Sequence, residues 1–228
     1  MKIALVHDYL TQLGGGEKVL KALGEMFPEA PIFTLIYDEE ATNGIFKNRE
    51  IHVSFLQKIP GSKKYFRGLI WLMPLAIEQF DLSGFDLVIS VSHSYGKGVI
   101  TKPATKHICY CLTPTRYLWS DPGLPLKPIS QFILTYLRNW DFQAAQRPDY
   151  FIADSENVRQ RIKKYYGREA TVIYPPVNAN NFNNLNNLNN YSGYFLMVGR
   201  MVPYKRFDLV INAFSKLSNE KLLIIGYG

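Results

Sequence analysis

With only two cysteines in 228 residues, Cys109 and Cys111, this sequence has no disulfide framework. The pair stands in a C-x-C arrangement on what reads as a buried strand, so both are expected as reduced core residues in a reducing compartment. No second cysteine pair or histidine cluster at zinc-ligand spacing accompanies them, which argues against a metal site. A D-x-D-like carboxylate pair in a loop is also lacking, so no divalent cation is expected. Long hydrophobic runs are absent too: the longest, residues 68–77 (GLIWLMPLAI), falls short of the roughly 20 residues needed to cross a bilayer and contains Pro74. The amino terminus runs straight into a strand without the charged start, apolar middle and cleavage site of a signal peptide, so a cytoplasmic protein is expected. Acidic residues are in deficit, 19 against 26 Lys and Arg, and the net charge of +7 suits an anionic partner.

What is present organises itself as alternation. A chain that is 47% hydrophobic can bury one good core, or one core and a fragment of a second. Short β-branched or apolar runs at 3–6, 30–36, 87–91, 107–111 and 150–153 recur between helical stretches, which predicts a parallel α/β sheet with crossover helices. Gly14-Gly15-Gly16-Glu17 follows the first strand and leads into a helical pattern over 18–26 that stops before Pro28. Asp154-Ser155-Glu156-Asn157 supplies capping side chains ahead of a basic amphipathic helix over 158–166, which Gly167 ends. A closing strand is read at 171–174, and Pro175-Pro176 then breaks the pattern. The following NANNFNNLNNLNNYSG is too rich in asparagine to pack, so residues 178–192 read as a linker between a first domain, 1–177, and a second start at 193–228. There a strand at 194–198, a helix at 207–217 and a strand at 222–225 form a β-α-β unit too small to close its own core.

Four features could carry chemistry. The glycine run at the first strand-to-helix turn lets backbone N–H groups approach an anion, although a glycine turn also serves simply to bend the chain. Val198-Gly199-Arg200-Met201-Val202-Pro203-Tyr204-Lys205-Arg206 sets two cations at the mouth of a strand. There Arg200 offers a planar fork of donors and Lys205 a point charge, in a loop that otherwise reads as solvated and basic. His93 follows a strand, where parallel sheets place ligand groups, or is structural. Lys58, Lys63, Lys64 and Arg67 beside Tyr65, Phe66 and Trp71 either lie on an anionic membrane surface or form the solvated flank of a core helix.

Together, the GGGE loop, Y-C-L-T-P-T-R-Y-L-W (Tyr110 to Trp119), A-D-S-E-N-V (Ala153 to Val158), V-I-Y-P-P-V (Val172 to Val177) and V-G-R-M-V-P-Y-K-R-F-D resemble the group-1, family-4 retaining glycosyltransferases. Within that family the likeness is to mannosyltransferase-like members that build surface polysaccharides. The resemblance implies a GT-B fold: a Rossmann-like acceptor-side domain followed by the start of an incomplete nucleotide-sugar domain. It implies transfer of a hexose, mannose favoured, from a nucleotide-diphosphate sugar (GDP-mannose favoured) to a saccharide or lipid-linked acceptor, with retention and without a cofactor or metal. Carried over by position, Gly15, Gly16, Arg200 and Lys205 bind the donor diphosphate, His93 is the catalytic residue near the transferred sugar, and Arg116 and Tyr117 line the acceptor side. The chain departs from the family at Leu112, where members often carry histidine, and it ends before the expected E-x7-E carboxylates. It therefore reads as part of an enzyme or as a non-catalytic acceptor- or partner-binding module. A nucleic-acid partner is not expected, because no basic stripe interleaved with aromatics lies on one helix.

Overall fold

The computed structural model describes residues 1–119, 129–177, 193–202, 205–217 and 219–226. The asparagine-rich segment 178–192, together with Pro203 and Tyr204, lies outside the described residues. The chain divides into two compact units, Met1–Pro176 and Val177–Gly228.

The first unit alternates strands and helices in chain order: β1 (Ile3–His7), α1 (Gly15–Met26), β2 (Ile32–Thr34), β3 (Ile51–Val53), α2 (Ser62–Tyr65), α3 (Met73–Glu78), β4 (Leu87–Ser92), β5 (Lys106–Cys111), α4 (Arg116–Trp119), α5 (Ile129–Ala144), β6 (Tyr150–Ala153), α6 (Glu156–Tyr166) and β7 (Thr171–Val172). All seven strands pair in parallel, in the order β3-β2-β1-β4-β5-β6-β7. This is the doubly wound order, with one strand added beyond β6.

A parallel sheet must be covered on both faces, and alternate residues of β1 feed the two sides. Ala4 and Val6 join Val88, Met73, Ile77 and Leu137, whereas Leu5 joins Ile32, Ile89, Val19 and Leu20. Burying Val19 and Leu20, the core face of α1, contributes about 2 kcal/mol each. Cys109 and Cys111 are free and pack with Ala153, Val158, Ile162 and Tyr166 beneath α6, as expected of reduced core residues. Capping in α6 also follows the sequence reading: the Ser155 hydroxyl accepts from the Val158 N–H at 3.3 Å, and Gly167 closes the helix at a left-handed φ of 66°.

Some boundaries differ from expectation. Helix α1 begins at Gly15 rather than at residue 18, because the Glu17 carboxylate accepts the Gly14 N–H at 2.8 Å and satisfies a donor the helix start leaves over. The apolar stretch 68–77 is no continuous core helix. It breaks into short turns, and α3 starts only at Met73, with Pro74 in its first turn where a missing N–H costs nothing. Neither β3 nor α5 was foreseen.

The second unit contains β8 (Tyr194–Val198), α7 (Phe207–Phe214) and β9 (Lys221–Ile225), with β8 and β9 paired in parallel. No residue of α7 is buried, since two strands and one helix cannot enclose apolar side chains from both faces.

Candidate active site

The strand order reverses between β1 and β4: the chain steps outward from β1 to β2 and β3, then returns to the other side of β1 as β4. In an open parallel sheet, the crevice at the carboxyl ends of two such strands is where ligands bind. His7 and Asp8 stand at that end of β1, and Ser92 and His93 at that end of β4.

Asp8 is fully buried and organises the crevice. One carboxylate oxygen accepts from Ser92 Oγ at 2.9 Å, Tyr95 N–H at 2.7 Å and Gly96 N–H at 2.5 Å. The other accepts from His93 N–H at 2.7 Å and Ser94 N–H at 3.1 Å, and lies 2.8 Å from His93 Nδ1. Burial raises the carboxyl pKa, but His93, His7 and the loop N–H groups outweigh it and hold Asp8 well below the usual carboxylate range. Burial lowers the His93 pKa, but Asp8 outweighs it and lifts the imidazole above its ordinary value. His93 remains 28% exposed, and its Nε2 lies 2.9 Å from the Tyr9 hydroxyl.

His7 donates through Nδ1 to the Val91 carbonyl at 2.8 Å, which leaves its Nε2 as a buried atom 3.8 Å from Glu17 Oε1. Gly16 sits against this pair in the first turn of α1. A Cβ there would lie 2.6 Å from Leu112 Cδ1 and 3.5 Å from His7 Cε1, so a side chain at this position would displace the Leu112 methyl that packs on the helix start. Leu112, the departure from the family pattern, thus packs over the glycine turn. Gly15 faces open space. A helix start of this kind presents N–H groups and positive dipole to an anion.

Arg116 and Tyr117 lie on α4, in the segment after β5. The Tyr117 hydroxyl is 2.5 Å from that of Tyr95, two residues beyond His93, which ties this segment to the histidine loop. Beneath it lies a buried ion pair: Lys97 Nζ is 2.5 Å from Asp141 Oδ1, with the two side chains 2% and 1% exposed. Asp141 also accepts from Thr115 Oγ1 at 2.6 Å, Trp119 Nε1 at 2.7 Å and the Tyr166 hydroxyl at 2.9 Å. Lys97 donates as well to the Ser94 carbonyl. One carboxylate on α5 thereby joins the turns after β4 and β5 to α6.

Arg200 and Lys205 occur together in the second unit, between the carboxyl end of β8 and the start of α7, and both are exposed. Of the residues expected to act, the first unit therefore gathers His93, Gly15, Gly16, Arg116 and Tyr117 on one end of its sheet. Asp8, Tyr9, His7 and Glu17 were missed. The signal that pointed to His93, its place at the carboxyl end of a parallel strand, applied equally to Asp8.

The family model for Glycosyltransferase Family 4 matches residues 13–181. No curated protein matches the chain. Among solved structures, Anabaena Alr3699/HepE in complex with UDP is similar, with a TM-score of 0.61 at 14% identity over 100% of this chain and 61% of that one. Its complex with UDP-glucose gives a TM-score of 0.58 at 16% identity over 99% of this chain and 60% of that one. This chain therefore spans about three fifths of the length of HepE. The likeness establishes the Rossmann-like α/β fold of GT-B glycosyltransferase structures.

Proposed function

We infer, because this chain belongs to glycosyltransferase family 4, that it moves a hexosyl group from a nucleoside-diphosphate sugar to a hydroxyl of a saccharide or lipid-linked acceptor, with retention at the anomeric carbon. The observation that carries this reading is the helix start at Gly15 and Gly16 set beside the Asp8–His93 pair at the switch point of the sheet. The glycine turn approaches the donor diphosphate, and Arg200 and Lys205 neutralise the charge that builds on it as the glycosidic bond breaks. His93 lies near the transferred sugar, with Arg116 and Tyr117 on the acceptor side. The domain boundaries that go with this reading are 1–177 for the acceptor side and 193–228 for the start of the nucleotide-sugar domain.

Likeness to mannosyltransferase-like sequences favours GDP-mannose, whereas HepE binds UDP and UDP-glucose. A turnover assay on the chain, and on any longer protein that contains it, with GDP-mannose and UDP-glucose as alternative donors, tests both levels. Release of GDP from GDP-mannose supports the reading, release of UDP alone transfers it to a glucosyl donor, and no release from either sinks it. A second reading, a non-catalytic acceptor- or partner-binding module, is rejected by any turnover.

We propose in addition that the run of chain 58–75 touches the membrane that would carry a lipid-linked acceptor. Lys58, Lys63 and Lys64 are exposed beside Tyr65, Trp71 and Leu75, which are 66%, 51% and 52% exposed. Cations next to aromatic and aliphatic side chains suit an anionic bilayer surface. No helix among the described residues is long and apolar enough to cross a membrane. Flotation is expected with vesicles containing anionic lipid and to weaken with salt, and failure to float with them retires this contact.

A further inference from the structure

We propose that Asp8 is a positioning residue for glycosyl transfer: its carboxylate pins the loop that carries His93 and holds the imidazole by Nδ1–H, so that Nε2, beside the Tyr9 hydroxyl, is the ring nitrogen turned away from the carboxylate. The proposal rests on the glycosyl-transfer reading above.

The geometry is over-determined. Asp8 follows β1 and His93 follows β4, at adjacent strand ends on either side of the switch point. A buried carboxylate that accepts from Ser92 Oγ, from the N–H groups of His93, Ser94, Tyr95 and Gly96, and from His93 Nδ1 has every lone-pair direction committed. It has no proton to offer, so His93 Nδ1 must supply the hydrogen in that contact. Once Nδ1 carries a proton, the neutral imidazole has its lone pair on Nε2, facing the Tyr9 hydroxyl. The four loop N–H groups fix where the ring stands, and the Nδ1 contact fixes which way it turns. A histidine at the edge of a sugar site gains from both, since an ångström of misplacement is enough to lose about a hundredfold in rate.

The groups facing His93 are named by the same geometry. Asp8 comes from the end of β1 and Glu17 from α1, and both favour the imidazolium. Lys97, from the turn after β4, opposes it, and the His7 ring lies 6.4 Å away. Tyr9 completes the surroundings with its phenol group, 2.9 Å from Nε2 and edge-on to the ring. Asp8 makes the direct contact, so its charge dominates.

Two-bond proton–nitrogen correlation spectra of the chain, which has four histidines, read the tautomer directly, with His93→Gln assigning the signal. The expected result is Nδ1–H in the neutral form and a titration midpoint above the ordinary 6.5. An Nε2–H tautomer or a midpoint below that value overturns the proposal. In the active protein, Asp8→Asn is expected to shift the His93-dependent limb of the rate profile to lower pH and to lower kcat about a hundredfold, with KM for the nucleotide sugar little changed. An unshifted profile refutes the positioning role. Should Asp8→Asn fail to fold, the wild-type spectra still decide. A chain that shows the Nδ1–H tautomer yet turns over no nucleotide sugar upholds the pairing and removes the function on which its role depends.

Discussion

Replacing Asp141 with alanine is expected to destabilise the first unit by about 3–5 kcal/mol, enough to lower its melting temperature by roughly 10 °C. The cost arises because Asp141 is the common acceptor for Lys97, Thr115, Trp119 and Tyr166. Its removal strands a buried ammonium as well as three neutral donors, and the ammonium contributes most, since an uncompensated charge in the interior is the costliest of them. Lys97→Met is expected to cost less, because the carboxylate keeps three hydrogen-bond donors. Denaturant midpoints for the two variants give the comparison. Equal midpoints, or a larger loss for Lys97→Met, would contradict this account. Because the same carboxylate ties the turn bearing His93 to the segment bearing Arg116 and Tyr117, Asp141→Ala is also expected to reduce turnover in the fraction that remains folded.

Arg200→Ala is expected to lower kcat about a hundred- to a thousandfold in the active protein, the loss typical when one preorganised donor to developing charge is removed. Arg200→Lys restores the charge but not the planar fork, so it is expected to recover only part of that loss. The defect should appear in kcat more than in KM, because the charge on the diphosphate is greatest as the bond to the sugar breaks. Unchanged turnover in Arg200→Ala, with the fold intact by circular dichroism, would remove Arg200 from the mechanism.

Both variants probe groups of a kind that the sequence reveals unequally. Arg200 stands in a motif whose neighbours are all local, so its residue types and order are visible along the chain. Asp141 lies in the last turn of α5, where a single aspartate between Trp140 and Phe142 looks like any other helix residue. Only the packing of α5 against α6 and the segments after β4 and β5 gives it four donors.

From the sequence alone came the α/β class, a capped start of α6 within 154–157 and its stop at Gly167, the glycine turn after β1, the buried cysteines, and the restart of a strand at residue 194. These depend on contacts within a few residues, where apolar periodicity, capping hydroxyls and glycine act directly on the backbone. The tertiary structure decided the strand order, the packing of Leu112 over Gly16, the division of 68–77 into turns, and the pairings of Asp8 with His93 and of Lys97 with Asp141. In a parallel sheet each neighbouring strand is reached through a crossover, so residues far apart in sequence meet at one end of the sheet. Which carboxylate meets which cation there follows from strand order, and no short-range pattern encodes it.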